Sequence, residues 1–171
     1  MEELLIVDGY NIIGAWPKLR ELKEAGNLEE ARDQLIDWLS EYQAYSGRTV
    51  IVVFDAHQVP GLGKKYQDRR LTIYFTKENE TADEFIEKLI GELKNQKRTI
   101  YVATSDYTEQ RVTFGQGALR ISARELLLEQ EIVKDLIQQT VSKRNQGLKQ
   151  NIFSAIDSET IKFFENFRRK K

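Results

Sequence analysis

The residues in this sequence best placed to do chemistry are aspartates. Asp8 and Asp55 each close a short apolar run, Asp106 lies three residues past another, and Asp83 falls in the first turn of a helical pattern. Other chemistries are largely excluded by composition. The 171 residues contain no Cys, which removes disulfides, Cys-containing zinc sites, thiol nucleophiles and iron–sulfur clusters. The single His, His57, excludes two-histidine acid–base chemistry and any HExxH zinc site. An enzyme of this composition works through carboxylates. Carboxylates gathered side by side repel and raise one another's pKa, and a divalent cation removes that penalty. Mg²⁺ takes oxygen ligands and is usually held by one or two carboxylates plus substrate phosphates. Such an ion stabilises charge on a phosphodiester and activates water for in-line attack.

Rival motifs are missing. Gly61-Leu62-Gly63-Lys64-Lys65 lacks P-loop spacing, and no GxGxxG follows the first apolar run. Tyr10 stands two positions after Asp8, where an aspartyl-phosphate phosphatase would carry a second Asp. There is no G-x-S-x-G elbow. Each aspartate also has a purely structural use. Asp at a strand end is a common turn former. Asp83 favours the helix dipole whatever its function, and Asp106 precedes Glu109 by three residues as an N-cap would.

The elements that must position these groups are legible. Leu4–Val7, Thr49–Phe54, Leu71–Phe75, Thr99–Ala103 and Leu119–Ile121 read as strands. Leu28–Tyr45 and Thr81–Asn95 have helical apolar spacing, the second opened by a Thr81/Glu84 capping box. Tyr107–Phe114 is a short helix. Ser122 with Glu125 caps a long helix to about Asn145, and Asp157–Arg169 forms a terminal one ending in the basic tail Arg168-Arg169-Lys170-Lys171. His57–Gly63 is a loop leading into the basic run Lys64–Arg70. Alternating strands and helices predict an α/β fold with a mostly parallel central sheet flanked by helices. Ligands in such folds sit beyond the carboxyl ends of the strands. Asp8, Asp55 and Asp106 therefore reach one rim, with Asp83 near it.

Charge is almost balanced, with 26 basic and 27 acidic residues and a net charge of −1. Nucleic-acid affinity would have to come from local clusters. Lys64, Lys65, Arg69 and Arg70, with Tyr66 interleaved for stacking, form the densest internal one. No basic n-region and no apolar stretch of membrane-spanning length occurs, so a cytoplasmic protein without a membrane partner is expected.

Leu5-Ile6-Val7-Asp8-Gly9-Tyr10-Asn11 resembles the opening motif of NYN-domain ribonucleases, within the PIN-like nuclease superfamily. Val53-Phe54-Asp55-Ala56-His57 resembles their second strand end. Glu80-Thr81-Ala82-Asp83-Glu84-Phe85-Ile86 resembles the acidic helix start of the YacP-like branch, and Val102-Ala103-Thr104-Ser105-Asp106 the late strand end. The resemblance implies a Rossmann-like PIN/NYN fold, with a nuclease domain over 1–150 and a C-terminal helix and basic tail over 151–171. It implies an endoribonuclease using Mg²⁺ or Mn²⁺, in mRNA decay or RNA processing, with RNA as partner. By position Asp8, Asp83 and Asp106 would bind metal. Asn11 would orient a carboxylate or a water on the metal, and Asp55 would be a ligand or support one. His57 and Glu80 are auxiliary candidates. The near-neutral charge makes a larger assembly such as the ribosome a candidate presenter of the substrate. The competing readings are a non-catalytic RNA- or ribosome-binding module and a structure-specific DNA nuclease. Oligomeric state stays open.

Overall fold

In a computed structural model the described residues are 1–56, 65–68, 70–95 and 97–155. In chain order they form β1 (Glu2–Asp8), α1 (Gly9–Ala15), α2 (Pro17–Glu24), α3 (Leu28–Ser46), β2 (Thr49–Phe54), β3 (Lys65–Asp68), β4 (Leu71–Phe75), α4 (Ala82–Leu93), β5 (Arg98–Ala103), α5 (Tyr107–Gly115), β6 (Leu119–Ile121) and α6 (Ala123–Ala155). The chain divides into two compact units, Met1–Val133 and Lys134–Lys171. The first holds the whole sheet. In the second the described residues are the remainder of α6.

The sheet order is β3-β4-β2-β1-β5-β6. Every pairing is parallel except β3 with β4. From β1 the chain builds outward through β2 and β4, then crosses back to β5 and β6. The direction of growth reverses between β1 and β5, and their carboxyl ends flank the crevice where open α/β sheets bind ligands.

A parallel sheet covered on both faces needs strands that are apolar on both sides. Leu4–Val7 and Val50–Phe54 meet that need, and every one of them is buried. One alternation places Leu4, Ile6, Ile51, Val53, Ile100 and Val102 against Ala82, Ile86, Leu89 and Ile90 of α4. The other alternation turns Leu5, Val7, Val50, Val52 and Phe54 toward α1 and α3. Both expected capping boxes form. Glu84 N donates to Thr81 Oγ1 at 3.2 Å, and Glu125 N donates to Ser122 Oγ at 3.1 Å. The carboxylates of Glu84 and Glu125 return the bond to the Thr81 and Ser122 amides.

The structure corrects three local expectations. Two short helices occupy Gly9–Glu24, where none was expected. α1 has seven residues and α2 buries only Leu19, so neither carries a full amphipathic repeat. Part of the basic run Lys64–Arg70, for which no strand was expected, is an edge strand. β3 takes its register from β4 and exposes charge, as edge strands do. α6 continues past Asn145 to Ala155. The expected loop His57–Gly63, the terminal helix Asp157–Arg169 and the basic tail lie outside the described residues.

Candidate active site at the carboxyl rim of the sheet

β1 ends at Asp8, whose register partner on β2 is Val53, and the chain turns into α1 at Gly9. Asp8 caps that helix: its Oδ1 accepts from Asn11 N at 3.4 Å. Asp8 is only 7% exposed. A charge so far out of water needs hydrogen bonds or a counter-charge nearby. The turn exists because residue 9 is glycine. A Cβ there would stand 2.3 Å from Cε1 of Phe54. Phe54 is fully buried, stacks on Phe75 at 5.3 Å and meets the tilted Tyr10 ring at 5.0 Å between ring centres. An aromatic cluster thus packs against Gly9, next to Asp8 in the chain.

Across the crevice, β5 gives way to Thr104, Ser105 and Asp106. Asn11 spans the gap. Its Oδ1 accepts from both Ser105 N and Ser105 Oγ, each at 2.6 Å. A backbone N–H can only donate, so the oxygen of the carboxamide must face Ser105. Nδ2 of Asn11 is thereby turned away as a donor. Thr104 is fully buried, and its Oγ1 accepts from Asp106 N at 3.1 Å. Asp106 is exposed and caps α5, its Oδ1 accepting from Thr108 N at 2.7 Å.

On the other side of β1, Asp55 follows β2. Its Oδ2 accepts from Ala82 N at 3.4 Å, the first residue of α4. Asp55 thus docks on the same helix end that carries Asp83, which is half-buried. Buried Thr76 closes the seam, its Oγ1 accepting from Ala56 N at 2.9 Å. Tyr10 points to this side, and Arg32 of α3 donates from Nη1 to its phenol at 3.0 Å. Burial pushes the Tyr10 phenol above its ordinary pKa. Arg32 opposes that shift, and the Asp55 charge reinforces it.

The profile of the YacP-like NYN domain family matches residues 5–169. The chain belongs to this family. It is 55% identical over 167 residues to the uncharacterized protein YacP of Bacillus subtilis (strain 168), covering 98% of this chain and 97% of that one. It also matches the crystal structure of Rae1 (YacP) from Bacillus subtilis, with a TM-score of 0.76, 56% identity and coverage of 98% and 95% of the two chains. A mutant of that protein matches with a TM-score of 0.74 and 56% identity over 83% and 82%. Membership of the YacP-like NYN domains supports a nuclease-type, RNA-related function, with RNA implied as substrate. No helix among the described residues is long and apolar enough to cross a membrane.

The donor set of this YacP-like NYN domain is all oxygen: Asp8, Asp55, Asp83 and Asp106, with the Asn11 carboxamide beside them. That chemistry suits a hard divalent cation held by one or two carboxylates with water and phosphate completing the shell. It is not a preassembled cage. Among the described residues no three acid or His side chains are grouped closely enough to hold one ion. The physical reason is visible. Asp8, Asp55 and Asp106 each serve a helix start, which holds them apart at their own strand ends.

Of the basic cluster expected to grip RNA, the described side chains are Lys65 and Arg70, and these two lie apart. Lys65 pairs with Tyr74 near the end of β4, with its ammonium 5.3 Å from the centre of the Tyr74 ring, on the carboxyl side of the sheet. Arg70 sits at the opposite end. It adopts a positive φ of 71° in the turn before β4, and its carbonyl accepts from Gln43 Nε2 at 3.1 Å. The hairpin reverses direction between them. Lys64, Arg69 and His57, and the Tyr66 side chain, lie outside the described residues. Glu80 is half-buried in the turn before α4, its amide donating to Lys77 O at 3.0 Å. Tyr10, Arg32, Thr104 and Ser105 were missed as contributors to the site. Tyr10, Thr104 and Ser105 lie inside the motifs. Nothing local marks Arg32.

Proposed function

We propose that this protein is a metal-dependent endoribonuclease that hydrolyses RNA phosphodiester bonds in mRNA decay or RNA processing. The observation that carries the reading is the Asn11–Ser105 bridge across the β1/β5 crevice, beside buried Asp8. It commits the amide oxygen of Asn11 to Ser105 and leaves its Nδ2 donor for another partner at the end of the sheet where α/β folds bind ligands. Asp8, with Asp83 or Asp106, would hold Mg²⁺ or Mn²⁺, which when bound neutralises charge on the scissile phosphate. The protein's own groups do the rest. Asn11 Nδ2 donates to a carboxylate or to a phosphate oxygen. Asp55 stays near the α4 start and keeps the second carboxylate group in place. Lys65 offers a positive charge on the same side of the sheet.

A non-catalytic RNA- or ribosome-binding module is the second reading. The observation in its favour is that no three acid side chains are gathered among the described residues. One experiment separates the two. Wild type, Asp8→Asn and Asp83→Asn are given naked and ribosome-bound mRNA with Mg²⁺, Mn²⁺ or chelator. The nuclease reading expects cleavage by wild type that chelator and both substitutions abolish while RNA binding and fold persist. Undiminished cleavage by folded variants would refute the site. Binding without cleavage in every arm would favour the module, and cleavage of ribosome-bound mRNA alone would identify the ribosome as presenter.

A further inference from the structure

α3 runs toward the start of β2, and its 19 residues span about 28 Å at the α-helical rise. Its first turns therefore stand at the end of the sheet where β2 finishes and Asp55 follows. Arg32 lies in those turns, half-buried. Its guanidinium is held by a neutral phenol, Tyr10 Oη, at 3.0 Å. Among the described residues it makes no ion pair with a carboxylate, unlike Arg48 and Arg98 of the same unit. The phenol is itself fixed: Tyr10 is 7% exposed, and its ring packs on Phe54 at 5.0 Å, which in turn leaves no room for a Cβ on Gly9. The contact thus fixes the position of this arginine and leaves its charge and most of its hydrogen-bond donors unspent. A phenol spends one of the five guanidinium N–H donors and none of the charge, whereas a carboxylate would spend both.

We propose that Arg32 grips a phosphate of single-stranded RNA on the β2 side of the Asp8 rim, with Tyr10 as its positioning residue. This rests on the endoribonuclease reading and adds a residue that binds the substrate backbone. A guanidinium offers two parallel donors to a phosphate, which an ammonium cannot reproduce. A contact of this kind is not specific to base sequence, and each phosphate neutralised adds a fixed increment to the salt dependence of binding.

The test measures affinity for a mixed-sequence single-stranded RNA oligonucleotide across a salt series, using the full chain with chelator present so that nothing is cut. Arg32→Gln is expected to weaken binding about tenfold and to reduce the slope of log K against log salt by about 0.7, the value for one phosphate on a single strand. Arg32→Lys keeps the slope and loses part of the affinity. Tyr10→Phe keeps the slope and weakens binding about threefold, because the charge remains while its anchor is gone. Thermal melts confirm that each variant is folded, and Arg32→Lys decides the matter if Arg32→Gln is not. Unchanged affinity in Arg32→Gln, or lower affinity with the wild-type slope, overturns the proposal and leaves the nuclease reading standing. Wild type that neither binds nor cleaves RNA overturns both.

Discussion

Asn11 and Ser105 are 94 positions apart, yet the Asn11 carboxamide oxygen takes two hydrogen bonds from Ser105, both at 2.6 Å. The bridge joins the first turn of α1 to the loop that leaves β5, and so ties together the two sides of the crevice between β1 and β5. It also decides which end of the amide faces outward. Asn11→Asp keeps an acceptor for Ser105 and loses the outward donor. Its RNA cleavage is expected to fall about a hundredfold, the cost of losing one well-placed donor, with little change in urea unfolding. Asn11→Ala loses the bridge as well and is expected to lower stability by about 1–3 kcal/mol in the same unfolding measurement.

Gly9 is constrained by space rather than by backbone angle. Gly9→Ala would push a methyl into the Phe54 ring, which packs against both Phe75 and Tyr10 and has little room to yield. Overpacking of this kind costs about 1–3 kcal/mol. The expected result is a lower midpoint of thermal unfolding together with reduced cleavage, since Asp8 and Tyr10 flank the displaced residue.

Lys65 and Arg70 belong to one basic run in sequence and to opposite ends of the sheet in space. Lys65→Glu is expected to weaken RNA binding at low salt severalfold, through loss of one favourable charge and gain of a repulsive one. Arg70→Glu is expected to do much less. Equal losses from both substitutions, measured by a filter-binding titration, would mean that RNA follows the hairpin rather than the rim.

Arg48 organises the opposite end of the first unit. It pairs with Glu3 at 2.7 Å and Glu129 at 3.2 Å, donates to Tyr42 Oη at 2.6 Å and lies over the Tyr101 ring at 4.5 Å. Burial, followed by the hydrogen bond to Glu129, raises the Tyr42 phenol well above its ordinary pKa. Arg48→Ala leaves the buried Tyr42 oxygen without its donor and releases two half-exposed carboxylates, and is expected to cost about 1–3 kcal/mol, read from chemical denaturation. Arg48→Met, which preserves packing over Tyr101, is expected to recover part of that loss.

Glu125 adds an acid-sensitive contribution. Hydrogen bonds from the Ser122 amide and hydroxyl hold its carboxyl below the ordinary value of 4.5. A group whose pKa is lower in the folded state stabilises the fold above its unfolded value and loses that contribution as pH falls through its folded value. Between pH 7 and pH 3, Glu125→Gln is therefore expected to flatten the decline of stability with acid. Ser122→Ala removes the cap at all pH values, at about 1 kcal/mol by thermal or urea unfolding.

Much of this molecule is written locally. The apolar runs of β1, β2, β4 and β5 need only their own residues to declare themselves. The capping boxes at Thr81 and Ser122 are bonds between residues three apart, so sequence spacing states them directly. From strand order alone it follows that Asp8, Asp55 and Asp106 end up at one edge. The short helices α1 and α2 were not legible, because seven or eight residues pinned by tertiary packing carry too little periodicity. The strand β3 was hidden for a related reason: an edge strand is defined by its neighbour's backbone, and its own side chains can be charged.

Sequence by itself determined which chemical groups were available and which end of the sheet would carry them, because strand, helix and cap signals act over a few residues. Tertiary structure alone decided how those groups are used. It joined Asn11 to Ser105, seated Arg32 on Tyr10, tied Asp55 to the start of α4 and sent Arg70 to the far end of the sheet from Lys65. These contacts close loops of tens of residues. Their geometry depends on how strands stack beside β1 and how helices settle on each face, so no window of neighbouring residues contains it.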